Sequence, residues 1–159
     1  MKMITLTQPW ATLVALDEKR NETRSWKTDY RGDLAIHAAK NFPRGARDLV
    51  ATEPFASVLA HYGIGMPELE AVLGHILCVT ELYGCERITT GYPPPRFGIR
   101  AEAQHEAAFG NYGSGRWAWQ MDRHRKLRQP VEAVGHQGIR DLDREIAADV
   151  EAELVEPGF

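Results

Sequence analysis

Cysteine is almost missing from this 159-residue chain, which holds only Cys78 and Cys85. Two thiols seven positions apart build no disulfide framework, so a reducing, cytoplasmic setting is expected. Nor do the cysteines combine with histidine at the short spacings of a zinc site. His37, His61, His75, His105, His124 and His136 are scattered, and neither a metal nor another cofactor is expected. No apolar run approaches the roughly 20 residues that span a bilayer, and MKMITLTQPW lacks the apolar core and cleavage site of a secretory leader; a membrane is not an expected partner. An excess of positive charge is lacking too. A formal net charge of −3 argues against coating of duplex nucleic acid, which needs a basic face to displace counterions. Repeats, low-complexity tracts and linkers are also absent, so residues 1–159 are expected to form a single domain.

What is present is concentrated in Gln8 to Lys40, where tryptophan, tyrosine and basic side chains crowd into a helix-turn-strand run. Lys2 to Thr7 reads as a strand. Pro9 suits the first position of a helix, because its missing N–H costs nothing there. Trp10, Leu13 and Val14 give that helix one apolar face, and it should end near Asp17 to Lys19. Glu22, Arg24 and Trp26 share a strand face by period two. Tyr30 to Asp33 is a turn, and Leu34 to Ala39 a strand carrying His37. Pro43 to Tyr62 reads as a helix that Pro54 breaks or kinks, Val72 to Leu82 as a central strand. Thr89 to Arg100, with three consecutive prolines, is a loop; its Tyr92 and Phe97 either cover a pocket or cap the sheet. A short helix over Ala101 to Phe109 precedes a Gly-rich turn. Arg116 to Met121 and Val131 to Val134 are strands, and residues 139–155 an amphipathic helix. Strands that do not alternate with long helices point to an α+β fold with a mixed sheet curled into a small barrel.

Lys19, Glu22 and Arg24 form the sharpest constellation. A Lys-x-x-Glu is ordinarily a solvated ion pair, but Arg24 on the Glu22 face and Glu81 late in the long strand suggest a lysine held between carboxylates in a cleft, suited to general acid–base chemistry. Trp26, flanked by Arg24 and Lys27, is the candidate for stacking on a base. Trp10 and one of Trp117 and Trp119 are expected in the core, and His37 is expected to be a satisfied strand histidine. Ser114 in Gly113-Ser114-Gly115 does not fit a nucleophile elbow; the loop is a flexible turn or presents N–H groups and a hydroxyl to an anion.

These residues resemble a known family. Gln8-Pro9-Trp10-Ala11, the run Lys19 to Trp26, Tyr30-Arg31-Gly32, Ile36 to Lys40, Phe109-Gly110-Asn111-Tyr112 and Gly115 to Trp119 look, in that order, like the motifs of ASCH-domain proteins, from about Thr5 to Gly138. The resemblance implies a PUA-like fold, a small mixed β-barrel with helices at its mouth, related to RNA-binding modules. The family signature Gly-x-Lys-x-x-Glu-x-Arg is filled by Lys19, Glu22 and Arg24, with Asp17 where glycine is usual. Members include ribonucleases, amidohydrolases acting on N(4)-acetylcytidine, and nucleic-acid-binding modules of coactivators. In the amidohydrolase branch the likeness would make Lys19 the base and Glu81 the second carboxylate; that branch carries Thr where this chain has Glu22 and lacks much of Pro43 to Gly65. The expected site therefore has Lys19, Glu22 and Glu81 as catalytic groups, with Arg24, Trp26, Tyr30, Arg31, Ser114 and Arg116 binding substrate. The expected partner is RNA, single-stranded, or a nucleoside. The expected activity is metal-independent hydrolysis of RNA or of a modified nucleoside, the alternative being a reader of RNA, DNA or a modified base without chemistry.

Overall fold

The computed structural model describes residues 1–94 and 100–155. Its first strand, β1 (Lys2–Leu6), alternates so that Met3 enters one face of the sheet while Ile4 and Leu6 enter the other. Helix α1 (Trp10–Ala15) lies on the second of these faces. Its Ala11 and Val14 pack onto the sheet and its Leu13 turns to a helical layer. The buried Gln8 completes the helix start: its Oε1 accepts the Thr12 N–H at 3.0 Å and its Nε2 donates to Thr12 Oγ1 at 2.7 Å. β2 (Asn21–Arg24) and β3 (Gly32–Ala38) come next. Then come three short helices, α2 (Arg44–Leu49), α3 (Phe55–His61) and α4 (Met66–Ala71). β4 (His75–Arg87), α5 (Arg100–Ala107), β5 (Trp117–Glu132), β6 (Arg140–Asp141) and α6 (Arg144–Glu153) complete the chain.

The six strands run β2-β5-β4-β3-β1-β6. β1 is parallel to β3 and the other pairings are antiparallel, which gives the mixed α+β sheet expected, curled as a half-barrel. Ile4, Leu34, Ile36, Cys78, Leu82, Trp119 and Met121 form the core beneath α1. On the opposite face Met3, Ala35, Val79 and Leu127 receive Val150 of α6. Phe42, Phe55, Leu59, Leu69 and Phe109 tie α2 to α5 around Leu13. Each such fully buried large side chain stabilises the fold by roughly 1.5–3 kcal/mol.

Several elements differ from the sequence reading for local reasons. Pro54 does divide Pro43–Tyr62, into α2 and α3. The expected strand from Val72 starts instead at His75, after α4 and the left-handed Gly74. Glu68 makes α4 possible: its carboxylate accepts the Gly65 N–H at 2.9 Å, closing a capping box. Arg116–Met121 and Val131–Val134 belong largely to one strand, β5, whose register shifts around Asp122–Arg125 and whose Arg123 has φ 47°. Val134 itself lies outside it and is exposed. Arg140–Asp141 pair with β1, so α6 starts only after Asp143. Tyr92 is exposed, and Phe97 falls outside the described residues.

The end of α1 sets the course of the chain into β2. Asp17 has φ 60°. Its N–H reaches Val14 O at 3.0 Å while the Glu18 N–H reaches Leu13 O at 3.0 Å, the paired bonds of a Schellman cap. The Lys19 N–H adds a third bond, to Leu13 O at 3.2 Å. A left-handed residue is required at position 17, a conformation that glycine adopts freely. Aspartate tolerates it, and its carboxylate then accepts from Arg20 Nε and Nη2, both at 2.9 Å, and lies 3.4 Å from His124 Nδ1. Asp17→Gly relieves the backbone but loses a half-exposed ion pair of about 0.2–1 kcal/mol, so its urea midpoint should stay near wild type. Asp17→Ala loses the pair and keeps the strain, and should cost about 1–2 kcal/mol. Equal midpoints for Ala and wild type would contradict this role for the turn.

Candidate functional site

The curl of the sheet leaves a gap between its two ends. β2 is one edge strand; at the other end β6 covers only Lys2 and Met3 of β1. Arg24 reaches across from β2 and donates through Nη2 to Thr5 O at 3.4 Å. Beside this strut, under α1 and the end of α5, lies a cleft of about 630 Å³. Thr5, Thr7, Lys19, Glu22, Arg24, Asn111 and Arg116 give it polar walls, and Trp10, Phe55 and Phe109 an apolar floor.

Lys19 is carried into the cleft by the Schellman turn. It is only 3% exposed, and its Nζ donates to Asn21 O. Glu22 Oε1 lies 3.5 Å from Arg24 Nε. Among the described residues that Nε is the one buried side-chain nitrogen or oxygen without a hydrogen-bond acceptor in the protein. The strand entry is held from behind by Glu106 of α5. This buried carboxylate accepts the Arg20 N–H and, at 3.2 Å, the Tyr112 hydroxyl. Burial, then the Glu106 charge, pushes the Tyr112 phenol well above its usual range, so Tyr112 remains a donor. Arg116 closes the loop side, donating to Asn111 O at 3.1 Å and Thr23 O at 3.0 Å.

Lys19, Glu22, Arg24 and Arg116 are thus brought together on this cleft, Trp26 lines the cleft beside it with Arg24, and Glu81, Tyr30, Arg31 and Ser114 line neither. Glu81 stands on β4 at the surface, 3.3 Å from Arg123 Nη1, and does not line the cleft; register pairs it with Asp33 and Asp122. Tyr30 is a brace for the Gly32 turn: its hydroxyl donates to Asp33 O at 2.5 Å and Lys2 Nζ sits 5.5 Å from its ring. Arg31 clamps its own loop, donating to Thr28 O and Tyr30 O. Ser114 is exposed and does not line the cleft. Trp10, expected in the core, packs edge-on against Phe55 yet also lines the cleft. Trp119 is the buried member of its pair. Sequence reasoning missed Thr5, Thr7 and Asn111 as lining groups and Glu106 as a support. Alternation in β1 places Thr5 opposite Ile4 and Leu6, and is the available signal for it.

A second cleft, of about 800 Å³, adjoins the first and shares Thr5, Thr7 and Arg24 with it. Trp26, Lys40, Asn41 and residues 134–138 form its other walls. Its far wall is pegged by His37, which is satisfied as expected: Nδ1 lies 3.2 Å from Thr5 Oγ1 and Nε2 2.7 Å from Ala133 O. A carbonyl accepts only, so Nε2 carries the proton and Nδ1 accepts from the Thr5 hydroxyl, which in turn accepts the His136 N–H at 3.2 Å.

A half-barrel α+β domain with a polar cleft of about 630 Å³ at its open seam is the class that fold and site define. The chain belongs to the ASCH domain family, whose sequence profile matches residues 4–108. Among solved structures it is similar to an ASCH protein from Zymomonas mobilis, at 12% identity and a TM-score of 0.57, with 98% of this chain and 96% of that chain covered. It is also similar to a Tyr→Phe mutant of the Zymomonas mobilis protein, at 11% identity and a TM-score of 0.54, with 97% and 98% covered. At such identities the likeness is one of fold. No curated protein matches.

The His37 peg gives the fold a pH dependence of known sign. Burial is the largest influence and lowers the imidazole pKa below its usual 6.5. A histidine that folds as the neutral form contributes stability that is complete above its unfolded pKa and is lost as pH falls from there through the folded value. The urea midpoint is therefore expected to fall below about pH 6.5, with an NMR-detected His37 titration centred lower than that. A His37 midpoint at or above 6.5 would contradict the peg.

Proposed function

We propose that the first cleft binds one nucleotide of single-stranded RNA and hydrolyses its 3′-phosphodiester without a metal. The observation that carries this reading is the convergence of a nearly buried lysine, a carboxylate and two guanidinium groups on one cleft with an aromatic floor. Its volume falls in the roughly 300–1,000 Å³ range of small-ligand sites, so a base fits against Trp10 and Phe109. Arg24 or Arg116 meets the phosphate, in keeping with the preference of guanidinium for paired phosphate oxygens. Glu22 takes the proton of the ribose 2′-hydroxyl, and the 2′-oxygen forms a bond to phosphorus. The bond from phosphorus to the 5′-oxygen breaks, and Lys19 delivers a proton to the departing oxygen. The product is a 2′,3′-cyclic phosphate, which water opens by the reverse use of the same two groups. Glu81, which does not line the cleft, has no part in this scheme.

A second reading has support in the same dimensions. A cleft for one nucleotide on a chain of net charge −3 suits a free modified nucleoside as well as a polymer, and hydrolysis of an N-acyl base would use the same lysine. The non-catalytic reader uses the cleft for binding alone.

Labelled RNA, matched DNA and acetylated cytidine, each incubated with wild type, Lys19→Ala and Glu22→Gln in the presence of EDTA, separate these readings. RNA cleavage that spares DNA is expected, with each variant slower by about 10²–10⁴-fold. Turnover that survives Lys19→Ala would remove that residue from the chemistry. Release of acetate with intact RNA would favour the nucleoside enzyme, and binding without turnover the reader.

A further inference from the structure

We infer that the second cleft is a subsite for the neighbouring nucleotide, so that the ligand is a strand of at least two residues and not a free nucleoside. This rests on the nucleotide reading of the first cleft and extends it. The two clefts form one groove divided by Arg24. In a dinucleotide the phosphate lies between two bases, and here a guanidinium lies between two aromatic platforms. On the first side is Trp10; on the second, Trp26 is 46% exposed, an unusual state for tryptophan.

Trp26 is nonetheless held in place. Its ring packs edge-on against the buried Trp119 at 6.2 Å, its carbonyl accepts the Trp119 indole N–H at 3.1 Å, and Arg24 stacks 5.4 Å from its centroid. A fixed aromatic face needs little ordering when a base stacks on it, and stacking tolerates any base. Arg24 Nε itself is buried and faces Glu22 Oε1 at 3.5 Å, so the bridging phosphate meets the part of the Arg24 side chain that lines both clefts. The next phosphate along the strand finds Lys40. The stem of that lysine lies over Gly74, where a Cβ would come within 2.9 Å of Lys40 Cε, and it lines the second cleft.

The test is calorimetric binding of 2′-fluoro uridine ligands, which lack the attacking hydroxyl: the 3′-monophosphate, the dinucleotide and the tetranucleotide. The dinucleotide and tetranucleotide should bind wild type at least about ten-fold more tightly than the monophosphate. Trp26→Ala should weaken the dinucleotide and tetranucleotide by more than the monophosphate and so erase that gain, while Trp26→Phe, which keeps a ring beside Arg24, keeps most of it. Lys40→Ala should flatten the salt dependence of tetranucleotide binding. If Trp26→Ala weakens all three ligands equally, or none, the subsite is overturned while the first cleft stands. If the monophosphate and the oligomers alike fail to bind wild type, the nucleotide reading of the first cleft falls and the subsite with it.

Discussion

The left-handed turn at Asp17 is the constraint on which the site depends. α1 is buried on all but its Trp10 end, so its position relative to the sheet is fixed by packing. A helix ending with paired bonds from Asp17 and Glu18 back to Val14 and Leu13 leaves the chain one direction of exit. That direction carries Lys19 beneath the helix and delivers Asn21 to the edge of β5, against Gln120. Glu106 and Tyr112 lock the same segment from behind. Lys19 is thereby buried without losing its place at the cleft, and period two in β2 then sets Glu22 and Arg24 beside it. A residue two positions after the turn is placed by backbone hydrogen bonds, not by its own side-chain preferences.

The open seam is the second determinant. A closed barrel would bury the edges of β1 and β2 against each other; here β6 is two residues long and the gap is bridged by the Arg24 side chain. One residue therefore acts as strut, as ion-pair partner of Glu22 and as divider of two clefts. Those roles explain why an arginine suits the place better than a lysine: its planar fork reaches several acceptors in fixed directions and also stacks on Trp26.

Much of this is legible in the sequence, where local pattern and tertiary context agree. The alternation of β1 and β3, the apolar face of α1 and the break at Pro54 come from short-range rules, whereas the Lys19–Glu22–Arg24 grouping stands out chiefly through the resemblance to the family. The failures have physical causes. α4 is hidden because its capping box uses glycine, and the apolar Val72 and Leu73 after it look like strand. β5 reads as two strands because its middle, Asp122 to Arg128, is mostly charged, and a bulge at Arg123 breaks the alternation. Glu81 looks like a site residue for being a carboxylate in a long strand, but strand position alone says nothing about which end of a curled sheet a residue reaches. Trp26 stands out in the sequence as a tryptophan flanked by Arg24 and Lys27, but which cleft it lines depends on the route from Arg24 to Thr28, which no period describes.

An NMR titration of the wild-type protein with a short 2′-fluoro RNA tests the location of binding most directly. The expected result is that the indole N–H signals of Trp10 and Trp26 and the backbone amides of Lys19 to Arg24 and Asn111 shift together on binding. Signals of Glu81, Arg31 and Arg123 should stay in place, as should the buried Trp119 indole, whose N–H is already bonded to Trp26 O. Shifts centred on the Glu81–Arg123 face, with the Trp10 and Lys19 signals unmoved, would contradict it.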